Sequence, residues 1–129
     1  MTKLVIPLAA LLASCAALAA DPAQDKSMLD LAKNAGCMTC HHVEPGAKGP
    51  DGLPPIGPPW RDVSAKYKGQ KGALEQLTQT VMKGSNPYDS HWKGKASGLA
   101  MPPNAAAIGE ADARKLVKWI LSLEGSKKS

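Results

Sequence analysis

Cys37-Met38-Thr39-Cys40-His41 decides how this chain folds. Two thiols separated by two residues, with an imidazole directly after the second, are what covalent attachment of a c-type haem requires. Each thiol adds to a haem vinyl group, and the histidine is then held under the iron as an axial ligand. Other chemistries use parts of the same pattern. A thioredoxin-like dithiol needs a strand before the motif and a βαβ unit around it, whereas here a helical pattern precedes it and a Pro/Gly-rich loop follows. A zinc site would draw on Cys37, Cys40 and two of His41, His42 and His91. Adjacent histidines are poorly placed to share one tetrahedron, and His91 would have to close a long loop. Electron transfer through a covalent haem is the leading expectation.

The N-terminus explains how haem would reach those thiols. Lys3, an apolar run over residues 4–13 and a small-residue stretch over 16–20 have the form of a secretory signal peptide. Ala17-Leu18-Ala19 offers cleavage before Ala20, with a cut before Asp21 as the variant, so residues 1–19 are the expected signal and 20–129 the mature domain. Leu12-Ala13-Ser14-Cys15 is the competing reading, a lipoprotein site that would anchor the chain to a membrane through Cys15. The expected location is the periplasm, free or lipid-anchored. The mature length suits one small domain needing stabilisation beyond its own core, and a covalent haem supplies it. The chain has no Phe, two Tyr and three Trp, which suits a porphyrin filling the volume that large side chains otherwise occupy. Loss of Lys3 takes the formal charge from +5 to +4. No basic tract with interleaved aromatics appears, so nucleic-acid binding is set aside.

Helical periodicity is expected over residues 26–35, ending at Gly36, and over a turn or two at 62–67. A third helix covers 73–83, with Leu74, Leu77, Val81 and Met82 on one face before Gly84. The last is the clearest: Gly109 as N-cap, Glu110 and Asp112 in the first turn, and a stripe of Leu116, Trp119, Ile120 and Leu123. Six prolines between 43 and 59 make that segment an irregular loop, and 86–107 is also non-regular. Nothing alternates like a strand. The expected class is all-α, about four helices and long loops wrapped around one haem.

What fills the sixth iron position separates an electron carrier from a ligand-binding or catalytic haem. The candidates are Met28, Met38, Met82, Met101, His42 and His91. Met38 lies inside the attachment motif, and Met28 and Met82 sit at helical spacing among leucines, where methionine fills core gaps. His42 follows His41 too closely to reach the far face. Met101, followed by Pro102 and Pro103 in a loop far from the motif, is the preferred ligand, with His91 as the rival.

The chain resembles a small bacterial mono-haem class I cytochrome c. The likeness covers almost all of the mature sequence: residues 31–41, Ile56-Gly57-Pro58, residues 61–67, Met101-Pro102-Pro103-Asn104 and residues 116–121. It implies that the Pro58 carbonyl accepts a hydrogen bond from His41 Nδ1, that Asn104 touches the Met101 sulfur, and that the Trp92 indole reaches a haem propionate. Two loops, His41 to Gly57 and Trp92 to Met101, are longer than in compact members of that family. Surface insertions are thermodynamically cheap, so the extra length reads as padding, with a docking surface as the alternative. Lys93 and Lys95 are placed to steer an acidic partner, or are simply solvated.

The expected function is a monomeric one-electron carrier between periplasmic redox proteins, with His41 and Met101 as axial ligands and no enzymatic activity. The alternatives are a cytochrome subunit of a dehydrogenase or oxidase, and a haem sensor or peroxidase-like protein whose Met101 dissociates.

Overall fold

The computed structural model describes residues 21–125, and the expected signal peptide, with Cys15 and its cleavage sites, lies outside them. Four α-helices carry the chain: α1 (Pro22–Asn34), α2 (Trp60–Tyr67), α3 (Ala73–Lys83) and α4 (Glu110–Ser122). Among the described residues there is no strand, only an isolated bridge between Lys93 and Ala96. None of these helices is long and apolar enough to cross a membrane.

Two helices begin earlier than hydrophobic periodicity indicates. α1 starts four residues before Lys26 because Asp21 caps it, its carboxylate accepting from the Ala23 N–H at 2.9 Å, while Pro22 takes the position where no backbone donor is needed. That first turn is polar, so it leaves no trace in the apolar pattern. α2 starts at Trp60 rather than Asp62, because the Pro59 carbonyl accepts from the N–H groups of Asp62 and Val63 and the helix buries Trp60, Val63 and Ser64. α3 and α4 follow their sequence signatures, Gly109 serving as the N-cap residue of α4.

α4 is the organising element and packs against α1, α2 and α3. Its buried face is Ala113, Leu116, Val117, Trp119 and Ile120, with Leu123 just beyond, and Ala32, Ala35, Trp60, Val63 and Ile108 pack with it in the core. Full burial of such a side chain contributes about 1.5–3 kcal/mol. Trp60 meets Trp119 edge to face, ring centroids 5.7 Å apart. The Trp119 indole N–H donates to the Asp25 carboxylate at 2.7 Å, tying the first turn of α1 to α4. Buried Ser64 donates to the Leu123 carbonyl at 2.7 Å and satisfies the frayed end of α4. Met28, Met38 and Met82 pack against this core, as gap-filling methionines do.

A 3-10 turn, Cys37–Thr39, follows α1 and carries the first thiol of the motif, Cys40 closing it through its N–H to the Cys37 carbonyl. The proline-rich segment 43–59 contains a second 3-10 turn, Pro50–Gly52, and is otherwise irregular. The long loop after α3 docks onto it: the Ser97 N–H donates to the Pro55 carbonyl at 2.9 Å and the Gly98 N–H to the Ile56 carbonyl at 3.0 Å. Two backbone hydrogen bonds therefore tie the two long loops together.

Candidate haem site

A cleft of 320 Å³ opens between the motif wall and the loop after α3. Cys40, His41, Gly57 and Pro58 line one side; Gly84, Ser85, Gly98 and Met101 come from the other; Tyr67, Leu77, Val81, Val117 and Ile120 form an apolar floor. Of the sequence-predicted residues, Cys40, His41, Pro58, Trp92, Met101 and the rival His91 all reach this cleft. Cys37 sits beside it on the 3-10 turn, half-buried, and neither it nor Cys40 is in a disulfide.

His41 is held on three sides. Its Nδ1 lies 2.8 Å from the Pro58 carbonyl, which fixes that nitrogen as the proton carrier and leaves the Nε2 lone pair for a metal. Trp60 stacks on the ring, centroids 5.8 Å apart and planes 24° from parallel. Gly57 closes the third side, where a Cβ would lie 2.7–3.0 Å from three ring atoms. Burial lowers the pKa of His41, opposed by the Pro58 hydrogen bond, so the ring is kept in the neutral form that binds metals. Burial also pushes the Cys37 thiol above its ordinary value.

Met101 is held differently, through its backbone. Its N–H donates to Ser85 Oγ at 2.8 Å and its carbonyl accepts from the Ser85 N–H at 2.9 Å, a reciprocal pair that closes the loop. Gly84, at φ 82°, ends α3 directly under this pair, and a Cβ there would meet the Met101 carbonyl at 2.8 Å. Asn104 extends the anchor: its N–H donates to the Val81 carbonyl at 3.0 Å, and its side-chain amide nitrogen donates to the carbonyls of Pro102 at 2.6 Å and Val81 at 3.4 Å. That amide is thus engaged by backbone carbonyls, where the resemblance led us to expect the Met101 sulfur. His91 is exposed, its Nε2 3.3 Å from Lys95 Nζ, and its pKa is lowered by partial desolvation and by Lys66 and Lys95.

Three contributors were missed at the sequence level. Ser85 acts on a residue 16 positions away and no local pattern marks it, while Gly84, readable as the end of the third helix, gives no sign of its approach to Met101. Trp60, directly after Pro58-Pro59, carried no chemical signature of its own. The ensemble fits a haem: two thiols at the attachment spacing, a neutral imidazole with one nitrogen already committed, and an apolar cleft with a thioether from the opposite wall.

An all-α fold built round such a cleft defines a class of covalent-haem proteins, and the comparisons give the family. Residues 30–124 match the Cytochrome c family model, and the chain belongs to that family. It is 36% identical over 92 residues to cytochrome c-551 of Pseudomonas aeruginosa, covering 71% of this chain and 72% of that one. With cytochrome c-551 of Allochromatium vinosum it shares 38% identity over 95 residues, covering 74% and 84%. The crystal structure of Nitrosomonas europaea cytochrome c552 superposes with a TM-score of 0.57 at 34% identity, over 74% of this chain and 98% of that one. The protein is a small class I mono-haem cytochrome c, an electron carrier with one covalent haem c and not an enzyme.

Proposed function

We propose that this cytochrome shuttles single electrons between periplasmic redox proteins, with Cys37 and Cys40 as thioether attachments and His41 and Met101 as the two axial ligands. The observation that carries the ligand assignment is that Met101, among the described residues, is the one methionine lining the cleft that His41 also lines, while Met28, Met38 and Met82 pack against the core. A bound haem supplies a one-electron ferric/ferrous couple, and a Met/His pair raises its potential. The chain's own contribution is to hold the ligand geometry constant. Pro58, Trp60 and Gly57 keep the His41 ring from turning, and the Ser85 pair keeps the Met101 backbone from retreating. Little reorganisation is then needed when the charge on the iron changes. With His41 and Met101 both engaged by a bound haem, electron transfer would be outer-sphere, and Tyr67, Leu77, Val81, Val117 and Ile120 would offer it an apolar floor.

Trp92 is the candidate propionate contact, since it lines the cleft rim, and Asn104 supports the Met101 turn through backbone carbonyls. Periplasmic location rests on the signal-peptide pattern of residues 1–19; lipidation at Cys15 would instead anchor the same domain at a membrane. Exposed Lys93 and Lys95 beside the cleft favour donors and acceptors with acidic faces, met by a monomer.

The deciding experiment is the near-infrared spectrum of the oxidised holoprotein. The weak band of methionine-to-ferric-iron ligation is expected in the wild type and in His91→Ala, and absent from Met101→Ala. Its absence from a low-spin wild-type protein overturns the assignment and moves the ligand to His91; a high-spin wild-type spectrum overturns the carrier reading and favours a displaceable sixth ligand.

A further inference from the structure

The Trp92 to Met101 loop is tied by its backbone to the proline-rich segment. Ser97 and Gly98 donate to the carbonyls of Pro55 and Ile56 at 2.9 and 3.0 Å. Directly after Ile56, the Gly57 N–H donates to the Cys40 carbonyl at 2.7 Å and the Pro58 carbonyl meets His41 Nδ1. Three residues after Gly98 is Met101, pinned to Ser85. One backbone contact thus joins the arm that carries Met101 to the segment that orients His41. It also adds a tether close to Met101 in the loop of residues 86–100, whose Trp92 already packs against the core, and a shorter free segment leaves its end residue fewer positions to explore.

We propose that the pairing of 97–98 with 55–56 is a strut that sets the reach of Met101 across the cleft and so governs how readily an external ligand takes its place on the iron. The proposal rests on Met101 being the sixth ligand. Ser97 and Gly98 are positioning residues that act through Met101. The close approach requires glycine at 98: a Cβ there would lie 2.6 Å from the Ile56 carbonyl oxygen and 3.2 Å from Ile56 Cγ2. Gly98 does not occupy the left-handed region, so Gly98→Ala inserts a wedge between the loops without straining its own backbone.

The test is titration of the ferric holoprotein with imidazole, read from the Soret shift, for the wild type, Gly98→Ala, Met101→Ala and Tyr88→Ala, with a thermal melt of each. Apparent affinity scales with the fraction of molecules in which the iron is open, so a loosened strut is expected to tighten imidazole binding in Gly98→Ala by about tenfold or more. Tyr88→Ala, in the same loop, is expected to match the wild type. A merely structural role for Gly98 lowers the melt without tightening imidazole binding, and that result overturns the strut, as does equal tightening in Tyr88→Ala. If Met101→Ala itself leaves imidazole binding unchanged, the ligand assignment falls and the strut with it; if Met101→Ala tightens binding and Gly98→Ala does not, the strut alone falls. Should Gly98→Ala fail to fold, hydrogen exchange on the unaltered protein decides. The Ser97 and Gly98 amides are expected to exchange about tenfold or more below unstructured-chain rates, and unprotected amides overturn the proposal.

Discussion

The two walls of the cleft are built on different principles. On one, the His41 side chain is buried and gripped directly by a carbonyl, a stacked indole and a glycine-lined approach. On the other, Met101 is half-buried on an irregular arm and is tied to Ser85 through its backbone. His41 is part of the core through Trp60, which touches Trp119 and hence α4. The Met101 arm hangs from the end of α3 and from the proline-rich loop. Disturbing the first wall should therefore disturb the whole domain, whereas the second can yield locally while the helices stay packed. If His41 and Met101 are the two ligands, as proposed, this asymmetry keeps the first rigid and puts the weak point at the second.

The largest expected effect breaks the comparison at its root. Cys40→Ala removes one attachment thiol, and the denatured protein is expected to carry haem through at most one thioether, checked by intact mass and the pyridine haemochrome spectrum; two links in the mutant would sink the attachment assignment. Met101→Ala comes next. Loss of a thioether that favours ferrous iron should lower the midpoint potential by on the order of 0.1 V or more, within the roughly 0.8 V range that axial ligands control. An unchanged potential would move the ligand to His91 or Met82.

The remaining substitutions sharpen the contrast. Gly57→Ala presses a methyl group against the His41 ring. Overpacking of this kind destabilises by about 1–3 kcal/mol, and because this ligand is embedded in the core, the spectrum and the global melt should change together. Ser85→Ala removes the acceptor for the Met101 N–H, about 1 kcal/mol for a typical hydrogen bond. Here the two signals should separate: on heating, the near-infrared methionine band is expected to fade well below the global unfolding midpoint followed by far-ultraviolet circular dichroism. Coincident loss in Ser85→Ala, or separated loss in Gly57→Ala, would show that the walls do not differ as described.

Legibility followed locality. The attachment motif lies within five consecutive residues, and α4 declares itself through a 3.6-residue stripe, so both are readable where they stand. The first turn of α1 escaped because a cap and an N1 proline, not apolar spacing, create it. Trp60 escaped because its importance lies in two rings that the fold brings to it from residues 41 and 119. The tie between the two long loops escaped because a backbone pairing between residues some 40 positions apart leaves no side-chain pattern to find.

The order of motifs along the chain by itself determined the fold class and the cofactor, and it singled out the residues proposed to attach it and the pair of candidates, Met101 and His91, for the far side of the iron. These are matters of residue chemistry and short spacing, which hold before the chain folds. Only the tertiary structure decided how the two side chains proposed as ligands are held: Pro58, Trp60 and Gly57 surround His41, and Ser85 pairs with the Met101 backbone. Those are distances between backbone groups far apart in sequence, and only packing of the helices around the cleft brings them within hydrogen-bonding range.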